Sequence, residues 1–213
     1  WTEPDEAYEA AVHAAVDALY DDPGVSRALL ALVDEVVDPG WSNSLAAKLV
    51  ALTMPGVPDV YQGSELWEQS LVDPDNRRPV DFGRRAELLG AIAAGAGARA
   101  PRGLDDPGTA KLMLVHRVLT LRRDHPALFR TYTPVRAVGP AAAHALAFDR
   151  GGAITVATRL PVGLAERGGW GATRLELPRG TWRDVLTGEL AKSNRLGDLL
   201  ATYPVALLVK EQR

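Results

Sequence analysis

The segment from Met54 to Phe82 constrains the fold more than any other part of the chain. Pro55-Gly56-Val57-Pro58 is a breaker cluster that ends a helix and opens something extended. Val57 to Tyr61 is short, with β-branched and aromatic residues, and fits a buried strand. Gly63 closes it, Ser64 to Arg78 forms a polar loop, and Asp81 can cap a following helix. Strand, loop and helix in that order make the βα unit of a parallel sheet or barrel, whose loops at strand C-terminal ends hold active sites. A single parallel strand cannot stand alone, and too little chain lies upstream to supply the rest of a barrel.

The loop is dense in functional groups: Glu65, Trp67, Glu68, Asp73, Asp75, Asn76, Arg77 and Arg78. A flat indole face beside carboxylates, an amide and guanidinium groups suits a sugar, which has apolar C–H faces and a rim of hydroxyls. The residues alone equally permit a structural loop. Asp-Pro-Asp-Asn is a good turn sequence, and Arg77 and Arg78 could pair with Asp73, Asp75 or Asp81 merely to hold its shape.

Elsewhere the periodicity predicts helices first and strands later. Tyr8, Val12, Val16 and Leu19 recur at helical spacing until Asp21-Asp22-Pro23-Gly24. Val25, Leu29, Leu32, Val33 and Val36 mark a second helix ended by Asp38-Pro39-Gly40, and Ser42 or Asn43 caps a third with Leu45, Leu49 and Leu52 buried. Leu88, Leu89 and Ile92 mark a fourth. A Pro/Gly/Asp-rich connector, Ala100 to Gly108, leads to a fifth, capped by Thr109, with Leu112, Val115 and Leu119 inward and Arg122-Arg123 at its end. After Pro126, short runs around Val135, Ala145, Ile154, Arg174, Thr181 and Val205 are punctuated by Gly and Pro, the texture of an antiparallel β domain. The boundary is expected near Thr131, giving domains 1–130 and 131–213.

Composition excludes several functions. A chain of 213 residues with net charge -3 and no Lys/Arg run lacks the basic stripe that nucleic acid requires. The absence of cysteine removes disulfides, thiol catalysis and Cys-ligated zinc, and fits a reducing, cytoplasmic compartment. No apolar run reaches the ~18 residues of a membrane span. His13, His116, His125 and His144 form no metal-binding pair. Trp170 and Trp182 read as core residues rather than sugar platforms, and Ser64 has no histidine partner at a telling position. An opening at Trp1, inside what reads as a linker, leads us to expect a piece of a longer protein.

Pro55-Gly56-Val57-Pro58-Asp59-Val60-Tyr61-Gln62-Gly63-Ser64-Glu65-Leu66-Trp67, with Ser70-Leu71-Val72-Asp73-Pro74-Asp75-Asn76-Arg77-Arg78-Pro79-Val80-Asp81-Phe82, resembles the maltooligosyl trehalose synthase family of the α-amylase superfamily. The shorter first piece resembles the eighth-strand region of the whole superfamily, and the continuation points to the synthases. Trp1-Thr2-Glu3-Pro4, Trp41-Ser42-Asn43-Ser44-Leu45, Lys111 through Phe129, Gly180-Thr181-Trp182-Arg183-Asp184 and Pro204-Val205-Ala206-Leu207-Leu208 fit the same family.

The resemblance covers nearly the whole chain but only the C-terminal part of the family. It implies an α+β fragment, the late helices and last strand of a (β/α)8 barrel followed by a C-terminal antiparallel β-sandwich. The family's catalytic Asp, Glu and Asp lie on earlier strands, so the resemblance places no catalytic residue here. It implies a maltooligosaccharide wall built by Tyr61, Gln62, Glu65, Trp67, Asp73, Asp75, Asn76, Arg77 and Arg78, some touching sugar and others bracing the loop. The implied partners are the substrate and the N-terminal remainder of the barrel, with no nucleic acid, membrane, metal or organic cofactor.

Two competing readings remain: another amylase-type hydrolase or transglycosylase, and a noncatalytic carbohydrate-binding or structural module. On the fragment reading, residues 1–130 are expected to be marginal alone while 131–213 folds well.

Overall fold

The computed structural model describes residues 3–211. Trp1 and Thr2, which open one stretch of the family resemblance, lie outside them. Helix α1 (Glu6–Asp21) starts at Asp5, whose side chain accepts from the backbone N–H groups of Ala7 and Tyr8. Asp22 caps α2 (Pro23–Thr53) in the same way, with Pro23 in its first turn. The predicted stop at Asp21 to Gly24 is thus present.

The predicted second break is not. α2 runs unbroken for 31 residues with Pro39 inside it, and Ser42 and Asn43 are interior positions rather than caps. A proline removes one ladder bond and crowds the preceding turn, but tertiary contacts hold both sides. The Asp38 carboxylate accepts the Gly103 N–H at 2.8 Å, and the Trp41 indole donates to the Gly103 carbonyl at 2.7 Å. Leu45, Leu49 and Leu52 are fully buried one turn apart.

Val57–Tyr61 does not form the predicted strand. It is irregular, with Val57 95 % exposed, because no neighbouring strand stands beside it to complete a ladder. Helix α3 (Phe82–Ala93) follows the loop, capped by Asp81 as expected. Helix α4 (Thr109–Asp124) begins one residue earlier than the predicted cap implies: Gly108, in the left-handed region, is the N-cap and Thr109 the first helical residue. α4 is more central than its spacing suggested, since Ala110 to Val115 is a continuous buried run.

The rest is antiparallel β structure: β1 (Thr133–Pro134), β2 (Ala137–Val138), β3 (Ala145–Asp149), β4 (Ala153–Thr158), a short helix α5 (Pro161–Glu166), β5 (Arg174–Leu175), β6 (Trp182–Asp184), a turn of helix α6 (Leu196–Leu199) and β7 (Val205–Lys210). Five strands form one sheet in the order β1-β3-β4-β7-β6, and β2 pairs with β5 in a separate ribbon.

The central strands are buried on both faces, and alternation assigns each side. Ala153, Ala157, Val205 and Leu207 pack with Leu45, Leu49, Leu52, Met113 and Val118 of the helices. Ile154, Val156, Ala206 and Leu208 pack with Leu175, Trp182 and Leu196 on the other face. One core therefore spans helices and sheet. By contrast α1 contributes no buried residue, and Val12, Val16, Leu19, Leu29, Leu32 and Val36 form an exposed apolar stripe along α1 and the first half of α2. No described helix is long and apolar enough to cross a membrane.

Candidate functional site

The loop between Tyr61 and Arg78 holds its shape through its own polar groups. Its entry is a turn in which both the N–H and the hydroxyl of Ser64 donate to the Tyr61 carbonyl. The Glu65 carboxylate accepts from Nε of Arg85 at 3.1 Å, and the same guanidinium donates to the Gly63 carbonyl at 2.6 Å. Asp75 accepts the Leu71 N–H at 2.7 Å through one oxygen and pairs with Arg78 through the other. Arg77 donates to Asp73 at 2.8 Å. Glu68 accepts from the hydroxyl and N–H of Ser70, bonds that pull its carboxyl below the ordinary carboxylate range. The Asp73-Pro74 bond is cis, followed by a 3-10 turn at Asp75–Arg77.

The pairings of Arg77 with Asp73 and of Arg78 with Asp75 are those the sequence offered as loop bracing. Of the expected site residues, Glu65, Asp73, Asp75, Arg77 and Arg78 are engaged within the loop or with α3. Tyr61, Gln62 and Asn76 are exposed, and their side chains make no hydrogen bond among the described residues. They are the groups left available to a ligand.

Trp67 stands apart. One face stacks on Trp41, centroid to centroid 4.4 Å and nearly parallel, while the ammonium of Lys111 lies 5.5 Å from the ring centroid. Its indole N–H donates to Asp106 at 2.8 Å, and the same oxygen accepts the Gly108 N–H. The ring therefore joins three elements rather than lying open. Gly108 (φ 75°) is required here, because a Cβ would sit 2.6 Å from the backbone nitrogen of Trp67.

Sequence reasoning missed Lys111, Arg85, Asp106 and the partnership of Trp41 with Trp67. Lys111 donates to the Leu66 carbonyl at 3.0 Å and is 7 % exposed. Burial pushes its pKa down to about 8, with the Lys48 charge adding to the effect and Glu68 and Glu65 opposing it. A signal existed: Lys111 precedes Val115 by four and Val118 by seven, which places a cation on the buried face of α4.

Of the remaining readings, Trp182 and His144 are buried, Trp170 and His116 are half-buried, and His13 and His125 are exposed. Trp182 is buried and donates to the Pro178 carbonyl at 3.1 Å, and the Ser64 hydroxyl is spent on its own turn. Buried His144 lies against the carbonyls of Arg159 and Leu160 through Nδ1 and against Arg167 through Nε2. Among the described residues no group of His, Cys, Asp or Glu is arranged to hold a metal.

No protein-family model matches the sequence. A protein of Mycobacterium tuberculosis, provisionally named maltooligosyl trehalose synthase, is 47% identical over 215 residues. The alignment covers 99% of this chain and 26% of that protein. The solved structure of maltooligosyltrehalose synthase from Arthrobacter ramosus is 49% identical with a TM-score of 0.91, covering 99% of this chain and 28% of that one. A solved DSM5389 glycosyltrehalose synthase is 28% identical with a TM-score of 0.74, over 99% of this chain and 26% of its own. The resemblance seen in the motifs thus extends across the chain, which spans about a quarter of the length of the relatives it matches.

Proposed function

We propose that this chain, a relative of the maltooligosyl trehalose synthases, is the C-terminal segment of an enzyme that converts the reducing-end α-1,4 linkage of a maltooligosaccharide to an α,α-1,1 linkage. The observation that carries the reading is identity of 47 to 49% maintained over 99% of the chain, with a TM-score of 0.91 to a synthase. Residues 1–130 then complete a (β/α)8 barrel, with Val57–Tyr61 as its last strand once neighbours flank it. Residues 131–213 form the C-terminal β-sandwich domain. The apolar stripe on α1 and α2 is covered by the earlier part of that barrel. The enzyme works in the cytoplasm.

The reaction is a retaining intramolecular transglycosylation. A carboxylate nucleophile outside this chain displaces the terminal glucose and forms a glycosyl-enzyme ester. The released glucose stays bound, turns, and attacks the ester with its anomeric hydroxyl. Water must be kept out, or the result is simple hydrolysis. This chain's share is a wall of the pocket that retains the glucose. Tyr61, Gln62 and Asn76 face the sugar, and Glu65, Trp67, Asp73, Asp75, Arg77 and Arg78 hold the wall in place. The segment alone carries no catalytic triad and is inactive.

The test is to assay the longer protein that contains this chain, beside the chain alone, on a maltooligosaccharide. Reducing ends should disappear without matching release of glucose, and only with the longer protein. A steady rise in reducing ends would make it a hydrolase and sink the reading.

A further inference from the structure

Among the described residues, Lys111 is the one cation buried beneath the loop, and its surroundings are built rather than incidental. It projects from the first turn of α4, where Gly108 brings the helix start against the backbone of Leu66 and Trp67. Its ammonium donates to the Leu66 carbonyl and lies near the Trp67 ring. That ring is fixed on its other side by Trp41 and at its edge by Asp106. An aliphatic residue would fill the same volume without burying a charge. Burying an ammonium costs free energy that few contacts recover.

We propose that Lys111 is a positioning residue for the substrate-facing wall: its ammonium, held between the Leu66 carbonyl and the Trp67 ring, sets the stance of Tyr61 and Gln62. This rests on the reading of that loop as a sugar wall. The path is short and covalent. Leu66 and Trp67 are locked to α4 and to the connector ahead of it, while Glu65 and Gly63 are locked to Arg85 of α3. Tyr61 and Gln62 hang between this clamp and the end of α2. Releasing the Lys111 end frees Leu66 and leaves the Tyr61 turn held from the loop side by the Arg85 contacts alone.

The charged groups acting on the ammonium are Lys48 from α2 and Glu68 and Glu65 from the loop. Loss of the Lys111 proton, with a midpoint near 8, removes the attraction to the ring and weakens the donor to Leu66. The clamp therefore loosens on the alkaline side.

The experiment uses the longer protein with Lys111→Met, Lys111→Arg and Trp67→Phe. Tryptophan emission is titrated from neutral to alkaline pH, and the Trp67→Phe difference isolates the ring. The wild type should show a change with a midpoint near 8. Lys111→Met and Lys111→Arg should not, since neither side chain titrates in that range. On a maltooligosaccharide, Lys111→Met should raise KM more than it lowers kcat and release more glucose per non-reducing product. The combined loss in kcat/KM should be on the order of 10-fold, since a small displacement of a positioning group can cost ~100-fold. Lys111→Arg should recover part of it.

An unchanged KM and product ratio in Lys111→Met, or a wild-type emission that ignores pH, overturns the proposal. Were Lys111→Met not to fold, the wild-type titration and Lys111→Arg still decide. A wild type that only hydrolyses sinks the functional reading instead, and the emission titration then decides the role of Lys111 by itself.

Discussion

The guanidinium of Arg150, in the β3–β4 turn, donates to the carbonyl of Thr53 at the very end of α2. The same side chain donates to the carbonyls of Phe129, which ends a 3-10 turn (Pro126–Phe129), and of Thr131, so one buried cation ties the end of α2 to that turn and to the entry of the sheet. The Thr53 hydroxyl donates to Leu49 and accepts from the Thr155 hydroxyl at 2.8 Å. Helices and sheet are thus joined by hydrogen bonds as well as by a shared apolar core.

Arg150→Met should therefore destabilise both parts together. It strands the buried carbonyls of Thr53 and Phe129, each worth ~1 to 3 kcal/mol when left unpaired, and leaves the more exposed Thr131 carbonyl to water. Arg150→Lys, with a point charge that cannot reach all of them, should recover only part. Urea unfolding followed by far-UV circular dichroism and by tryptophan emission should give one shifted transition. Separate helix and sheet transitions would show that the latch is not shared.

Asp184 offers a sharper contrast. One oxygen accepts the N–H groups of Leu186 and Leu207, and the other accepts the Thr187 hydroxyl. Burial raises its pKa above the ordinary aspartate value, opposed by those bonds. Asp184→Asn keeps an acceptor for both N–H groups and carries no charge, so it should be nearly neutral at low pH, where Asp184 is protonated. Asp184→Ala should cost ~2 to 4 kcal/mol, since it leaves the N–H groups unpaired. The pH sign follows from the raised value. The native state holds this proton more tightly, so its contribution is largest below the unfolded pKa and is lost as pH rises through the folded one. Asp184→Asn should gain on the wild type as pH rises above the ordinary aspartate value and through the raised one. Urea midpoints measured through it would reveal a flat difference if the burial is harmless.

How much of this was legible in the sequence depends on whether neighbours or periodicity decide a segment. Asp5, Asp22 and Asp81 cap helices because a carboxylate placed before a helical run meets its own backbone, a local event. The short β-rich runs at 154–158 and 205–209, set off by Gly and Pro, foretold strands for a similarly local reason. Pro39 misled because a local breaker was outweighed by Asp38 and Trp41 reaching a connector over sixty residues away. Val57–Tyr61 has strand composition, but a ladder needs partners. Within the loop, Arg77 and Arg78 were readable as braces because their carboxylates lie three and four residues off. The clamp of Trp41, Trp67, Asp106 and Lys111 was not, because it is assembled from separate stretches of chain.

The Lys111 burial has a stability consequence apart from any activity. Its folded pKa of about 8 lies below the ordinary lysine value, so between the two the unfolded chain binds more protons. Stability from this group must rise as pH climbs from about 8 toward that ordinary value. Lys111→Met, which has no proton to lose, should be relatively more stable near neutrality, and that advantage should shrink on the alkaline side. Urea midpoints of the pair at neutral and alkaline pH test this. An advantage that stays constant would place the ammonium in water.

The exposed stripe on α1 and early α2 gives a last prediction, about dynamics. Residues 6–36 have almost nothing packed on them, whereas Leu45, Leu49 and Leu52 share the core with Val118 and Leu207. Local opening is governed by such contacts. In the isolated chain, amides of α1 and of α2 before Pro39 should exchange within seconds to minutes, and those of 45–53, 112–118, β4 and β7 should be the slowest. The line between labile and stable structure then falls inside α2, near Pro39, rather than near residue 130. In the longer protein, residues 6–36 should gain protection as the remainder of the barrel covers Val12, Val16, Leu19, Leu29, Leu32 and Val36. Equal exchange of that segment in the chain and in the longer protein would mean the stripe faces water in both, and the proposed barrel contact would fail.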